Sequence, residues 1–172
     1  MFINPNTAVE NGWITGIEKP EKQIQPNAID FTLDKVYNIN HQMFVISEEG
    51  KKMRGGSVLQ PVIDRASGID FWTLHAGQVY DGMSNIAVDL PEGVAAMLII
   101  RSTFNRNGIF LTSGLYDSGF KGHIGFAIHN RSDIAKVGVG TRIGQIKFVA
   151  SDSAGMYAGG YNHETGSHWT EE

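Results

Sequence analysis

Short apolar runs bounded by turn residues constrain this chain more than any other feature. They fall at residues 29–33, 43–46, 58–59, 71–74, 86–88, 96–100, 109–111, 124–128 and 143–149. Glu49-Gly50, Arg54-Gly55-Gly56, Asp81-Gly82 and Pro91-Glu92-Gly93 separate some of them. The intervals are near the ~8–12 residues typical of sandwiches and barrels. The 21 glycines are scattered as turn residues are, not gathered into a linker. Helical signals are few. Ser102 is placed to N-cap a short turn through Asn107 that Gly108 would end. Thr7-Ala8-Val9-Glu10 has capping-box spacing, which predicts a second short helix stopped by Gly12. Residues 47–56 are charged and glycine-rich and read as an exposed loop. From Ser151 onward the apolar periodicity is lost. The expectation is an all-β domain over 1–150, a jelly roll or closed barrel, followed by a flexible carboxyl-terminal arm over 151–172.

The composition narrows the function classes. A chain of 172 residues, 41% hydrophobic and 19% charged, suits one folded domain and is too apolar for a disordered one. The net charge of −4 argues against a sequence-independent nucleic-acid binder, which needs a cationic surplus. The absence of cysteine removes disulfides, thiolate zinc sites and cysteine nucleophiles. The longest apolar run, 94–100, is far short of the ~20 residues that span a bilayer. Met1-Phe2-Ile3-Asn4-Pro5 has no basic region leading into an apolar stretch. A cytoplasmic protein with neither a membrane nor a nucleic-acid partner is expected.

Four segments, in order, carry a resemblance. They are Ile24-Gln25-Pro26-Asn27-Ala28-Ile29-Asp30-Phe31-Thr32-Leu33, Arg101-Ser102-Thr103-Phe104-Asn105-Arg106-Asn107-Gly108, Gly114-Leu115-Tyr116-Asp117-Ser118-Gly119-Phe120-Lys121-Gly122, and Gly140-Thr141-Arg142-Ile143-Gly144-Gln145. Together they resemble the dUTPase and dCTP deaminase superfamily. The tail from Tyr157 through Gly159, Gly160 and Tyr161 to Gly166 is more similar to the deaminase branch. The resemblance implies a dUTPase-like distorted jelly roll or β-barrel of the β-clip type. It also implies a homotrimer with shared active sites and an arm that closes over them. The implied substrate is a pyrimidine deoxynucleoside triphosphate, with Mg²⁺ carried mainly by the triphosphate.

By that resemblance Ser102 and Arg106 stabilise charge on the phosphates, and a serine at a helix start suits an anion. Arg101 contacts phosphate or holds a subunit interface. Gly114 belongs to the hairpin that binds the base, and Phe120 lies against the deoxyribose and excludes a 2′-hydroxyl. Asp117 matches the acid that orients the attacking water, as a general base can. Asp30 touches Mg²⁺ through water, in keeping with the few carboxylates that ion needs. Gln145, Tyr157 and Tyr161 complete the substrate-binding set. Each has a plainer alternative: Ser102 as a cap, Arg101 as a surface ion pair, Asp117 as a turn residue, Phe120 as core, Asp30 and Gln145 as packing.

Departures from the pattern separate the branches. The deaminases carry a glutamate on the strand after the hairpin. Here that strand is Ile124-Gly125-Phe126-Ala127-Ile128-His129-Asn130. Alternation puts Ile124, Phe126 and Ile128 on one face and His123, Gly125, Ala127 and His129 on the other. Ala127 therefore stands at the glutamate's position, and a methyl group carries no proton. Leu115 replaces the hairpin arginine, Gly160 the tail lysine, and Glu164 a glutamine. His129 could carry a proton in the glutamate's absence, or be a partly exposed strand residue. His163, Glu164 and His168 lack the spacing of a helical zinc pair. The expected activity is hydrolysis of dUTP to dUMP and pyrophosphate. The alternatives are a dCTP deaminase using another acid, and a non-catalytic nucleotide-binding or regulatory relative.

Overall fold

The alternation over residues 124–128 is borne out: Ile124, Phe126 and Ile128 are buried among the core residues. The structure, a computed structural model, describes residues 1–162. In chain order its elements begin with α1 (Pro5–Glu10), β1 (Ile14–Thr15), α2 (Pro20–Gln23) and β2 (Ile29–Ile39). Short strands follow: β3 (Val45–Ser47), β4 (Gly50–Lys52), β5 (Gly56–Val58) and β6 (Val62–Asp64). Next come β7 (Ile69–Leu74), β8 (Val79–Asp89), β9 (Val94–Ile100) and α3 (Ser102–Arg106). The chain continues through β10 (Ile109–Thr112), β11 (Lys121–Asn130), β12 (Ala135–Gly138) and β13 (Arg142–Ala150).

The main sheet runs β10-β11-β8-β2-β13-β9, with β1 on β8 and β5 on β2. Strand β9 also lies against β10, so the path nearly closes on itself. This is the barrel-like all-β fold expected from the sequence. Its interior is filled by one apolar side chain from every second strand position, as in small barrels. Phe31, Ile86, Ile124, Ile128, Ile143 and Ile146 have no exposed surface. A second sheet, β12-β7-β6, and the β3-β4 hairpin lie outside this path. Asn130, fully buried, ties β11 to the second sheet by donating to the Leu74 carbonyl at 2.9 Å. No helix among the described residues is long and apolar enough to cross a membrane.

Several local expectations are corrected. Helix α1 starts at Pro5, not at Thr7, because Asn4 is the cap: its side chain accepts from the Asn6 N–H at 3.0 Å. Proline at the first helical position has no N–H to leave unsatisfied. Arg101 rather than Ser102 is the N-cap of α3, so Ser102 is its first residue. Gly108 ends this helix with φ of +76°, a conformation open to glycine. Helix α2 was not expected at all. Residues 47–56 are mostly exposed as expected, but they hold the last residue of β3, all of β4 and the first residue of β5 rather than a plain loop.

Candidate active site

Two surfaces hold most of the residues singled out from the sequence, and they share no lining residue. The first is a polar hollow of about 770 Å³ whose lining includes Asp30, Arg101, Ser102, Arg142 and Gln145. Strand pairing assembles it: Gln145 on β13 sits directly opposite Asp30 on β2. The Gln145 amide donates to Asp30 Oδ1 at 2.8 Å, and Arg142 donates to Oδ2 at 2.8 Å. Arg101 Nε lies 3.8 Å from the same oxygen. Asp30 is 1% exposed, so its charge is compensated by these groups rather than by water. Arg101 also donates to the Arg142 carbonyl at 2.9 Å. Both arginine side chains remain about one-third exposed, and each guanidinium has more N–H groups than these contacts use.

Gln23 supports this hollow from behind. It is 3% exposed, accepts from the Glu18 and Lys19 N–H groups, and donates to the Asp30 carbonyl at 2.9 Å. Neither Gln23 nor Arg142 was chosen as a site residue from the sequence. Arg142 was visible within the Gly140–Gln145 motif. Gln23 had no signal, because its partners are backbone groups brought near by folding. Arg106 is exposed on α3 and lines neither surface.

The second surface is a cavity of about 480 Å³. Its lining includes Gly114, Leu115, Tyr116 and Phe120 from the segment after β10, with Ala127 from β11. Tyr157 and Tyr161 of the arm line it as well. Tyr116 pairs with Ala96 on β9 through two backbone hydrogen bonds, which anchors the segment. Phe120 is 7% exposed and stands edge-on to Tyr116, with ring centroids 5.0 Å apart. Its other neighbour is the Tyr157 ring, at 5.8 Å. The arm is held by a hydrogen bond from Tyr157 N–H to the Ser118 carbonyl at 2.7 Å. Gly119 makes this approach possible: it has φ of +85°, and a Cβ there would lie 3.0 Å from the Tyr157 nitrogen. Gly160 is among the described residues; Glu164, His163 and His168 lie outside them.

Asp117 is exposed and lines neither surface of its own chain. Its carbonyl accepts from the Phe120 N–H at 3.0 Å, which closes a tight turn and leaves the carboxylate outside. His123 and Gly125 line the cavity beside Ala127, as the alternation implied. His129 does not; its ring shares a hydrogen bond with Thr112 Oγ1 at 3.0 Å. Asp81, which lines the cavity, carried no signal in the sequence, where it read only as part of a turn.

Tyr116 donates its hydroxyl to the Gly125 carbonyl at 2.5 Å. Burial pushes this phenol's pKa well up, and the Asp81 carboxylate adds to the effect, while Ser113 offsets part of it. An unfolded tyrosine loses its proton near pH ~10, whereas this folded one retains it. Stability from the protonated phenol is therefore present below that pH and is lost as the pH rises past it. Denaturation midpoints of the parent should fall more steeply above pH ~10 than those of Tyr116→Phe, which has no proton to lose. Equal slopes would show that Tyr116 ionises alike in both states.

Comparison with known proteins identifies the family. Residues 6–151 match the family described as dCTP deaminase-like. The chain is 30% identical over 142 residues to a protein of Methanothermobacter thermautotrophicus named "Probable deoxyuridine 5'-triphosphate nucleotidohydrolase", covering 82% of this chain and 89% of that one. It is 28% identical over 139 residues to a Pseudarthrobacter chlorophenolicus protein named "dCTP deaminase, dUMP-forming", covering 78% and 70% of the two. In fold it resembles the 2'-deoxycytidine 5'-triphosphate deaminase of Agrobacterium tumefaciens, with a TM-score of 0.66 and 18% identity over 87% of this chain. The match spans 48% of that deaminase chain. The extent of the family match, with the similarity to the archaeal protein, places this chain in the dCTP deaminase-like family.

Proposed function

We propose that this chain hydrolyses dUTP to dUMP and pyrophosphate. The observation that carries the reading is the pair of complementary surfaces: an aromatic-walled cavity sized for a small ligand, and a hollow bearing two guanidinium groups. The first suits a pyrimidine nucleoside, the second its phosphates. The relatives' names point the same way: one is a probable deoxyuridine triphosphate nucleotidohydrolase, and another is a dUMP-forming dCTP deaminase.

In this reading Phe120 packs on the deoxyribose and the backbone of the Gly114 segment reads the base. Arg101 and Ser102 receive the phosphates, and Arg106 joins them on binding. Arg142 completes this set, held in place by Asp30. Asp117 accepts a proton from the attacking water, and the bond between the α- and β-phosphates breaks. Tyr157 and Tyr161 bring the 151–172 arm over the nucleoside.

Mg²⁺ suits this site only as a companion of the substrate. No group of three or more candidate ligand side chains occurs among the described residues. Asp30 already accepts from Arg142 and Gln145, so it can meet the ion through water but not cage it. When bound, the ion supplies charge neutralisation on the triphosphate.

The two surfaces come together as one site when copies of the chain assemble, and a homotrimer is the assembly the resemblance implies. This accounts for Asp117 and Arg106 standing outside both surfaces of their own chain. Its place is the cytoplasmic nucleotide pool.

The test is incubation of purified protein with Mg²⁺ and, separately, dUTP, dCTP, dTTP or dATP, with products resolved by ion exchange. Formation of dUMP and pyrophosphate from dUTP, well above turnover of dTTP or dATP, is expected. Nucleotide binding without turnover of any of the four would favour a non-catalytic relative.

A further inference from the structure

Arg142 is held in the polar hollow through one nitrogen. Its Nη1 donates to Asp30 Oδ2 at 2.8 Å and to the Lys22 carbonyl as well. Nη1 carries two hydrogens, so both are committed, and two bonds to separate acceptors fix the guanidinium plane. A single bond to Asp30 would leave that plane free to turn. The two acceptors belong to different elements, Lys22 to α2 and Asp30 to β2. Gln23 links them. It follows Lys22 in the chain, and its side-chain amide donates to the Asp30 carbonyl at 2.9 Å. We propose that Gln23 is a positioning residue of the phosphate site: it sets Lys22 and Asp30 relative to each other, and so sets the direction in which Arg142 meets the anion.

Helix α2 needs such a support. Four residues make barely one turn, and the first turn of a helix is the costly one to form. Its N-cap, Lys19, makes no side-chain cap hydrogen bond. Gln23 supplies the missing acceptor from the other end of the turn. Its Oε1 accepts from the Lys19 N–H at 2.8 Å and from the Glu18 N–H at 2.9 Å. One buried carboxamide thus spends its acceptor on the entry to α2 and its donor on β2. The Lys22 carbonyl is steadied further by the Gln25 side chain, which donates to it at 2.7 Å. The Gln25 N–H in turn bonds to the Ala28 carbonyl at 2.9 Å, closing the turn between α2 and β2. A side chain that only filled this space would be apolar, since a buried amide is tolerated where its hydrogen bonds are made.

The consequence for binding is selective. Lys22, Asp30 and Arg142 all line the hollow, and the hollow shares no lining residue with the nucleoside cavity. Loss of the Gln23 amide should therefore weaken a phosphate ligand and leave a nucleoside ligand alone. A residue that merely stabilised the fold would affect both. This inference rests on the reading of the hollow as the site of the phosphates.

The experiment is calorimetric titration of the full chain with two probes in turn, inorganic pyrophosphate and deoxyuridine, with Mg²⁺ present throughout. Gln23→Met keeps the length of the side chain and removes its amide. It should weaken pyrophosphate binding by about 10–100-fold, the usual effect of one hydrogen bond to a charged group. Deoxyuridine binding should stay at the parent value. Arg142→Ala should give a loss at least as large, and the double variant should lose little more, because Gln23 acts through Arg142. Should Gln23→Met not fold, Gln23→Asn takes its place with the same expected results, since its amide is one methylene too short to serve both Asp30 and the Glu18 and Lys19 N–H groups. Equal weakening of both probes would make Gln23 a residue of the fold alone and overturn the inference. Additive losses in the double variant would overturn it too. Unchanged pyrophosphate binding in the Gln23 variant would overturn it and leave the hydrolysis standing. A parent protein that binds no pyrophosphate would overturn the phosphate reading of the hollow and this inference with it.

Discussion

Replacing Phe31 by alanine is expected to remove about 3–5 kcal/mol of stability, the cost of emptying a large aromatic site in a core. Phe31 is fully buried on β2, and its ring lies 5.2 Å from that of Phe126 across the barrel. Its register partner on β13 is Gly144. A Cβ at Gly144 would stand 2.4 Å from the tip of the Phe31 ring, so the glycine is the space the ring occupies. Gly144→Ala alone should therefore cost about 1–3 kcal/mol by overpacking. Gly144→Ala combined with Phe31→Leu should cost less than the sum of the two single changes, since the shorter side chain vacates the contested volume. Urea denaturation of the four proteins, with stability taken by linear extrapolation, provides the check. Strict additivity would show that the ring and the glycine are not coupled.

This pair also matters for the site. Gly144 and Gln145 are consecutive on β13, and Asp30 and Phe31 are consecutive on β2. The packing of Phe31 on Gly144 thus holds the register in which Gln145 and Arg142 meet the Asp30 carboxylate. A slip of one residue would turn Asp30 into the core and Phe31 outward.

Asp117→Asn is the kinetic counterpart. It should lower kcat for dUTP by about 10²–10⁴-fold, as loss of a general base does. KM should change little, because the amide keeps the size of the side chain and the nucleoside cavity does not include it. The fold should be untouched: Asp117 is exposed, and its turn is closed by its backbone carbonyl rather than by its carboxylate. An unchanged kcat would make Asp117 a turn residue and nothing more.

What could be read from the chain and what could not divide along sequence distance. The burial of Ile124, Phe126 and Ile128 follows from a period of two within one strand, and so does the placement of His123 and Ala127 on the cavity face. The fold class followed from the spacing of such runs. The start of α1 was misplaced by two residues in favour of Thr7, because Asn4 and Pro5 form a stronger start than the capping-box pattern. Helix α2 has four residues, too few for any periodic signal. Contacts made across the sheet were out of reach. Arg142 meets Asp30 at a separation of 112 residues. Asp81 is set opposite Ala127 by a strand pairing that contains a register shift, and no local pattern encodes that. The site therefore appeared in the sequence as motifs and departures. The carboxylate that faces the principal departure became visible only with the register of the strands.

The central claim is that the guanidinium-bearing hollow and the nucleoside cavity serve one reaction across copies of the chain. Mixing two disabled variants tests it most directly. Ser102→Ala removes the proposed phosphate contact, with an expected loss of about 10²–10³-fold, and Asp117→Asn removes the proposed base for the attacking water. Each homogeneous preparation should be nearly inactive on dUTP. Co-expressed and purified together through two different tags, the variants form assemblies in which some sites combine an intact Ser102 with an intact Asp117. In a trimer, two-tag purification leaves only mixed assemblies, each with one of its three shared sites intact at both residues, so about a third of the parent rate of dUMP and pyrophosphate formation should return. A rate no higher than the average of the two variants alone would contradict the account.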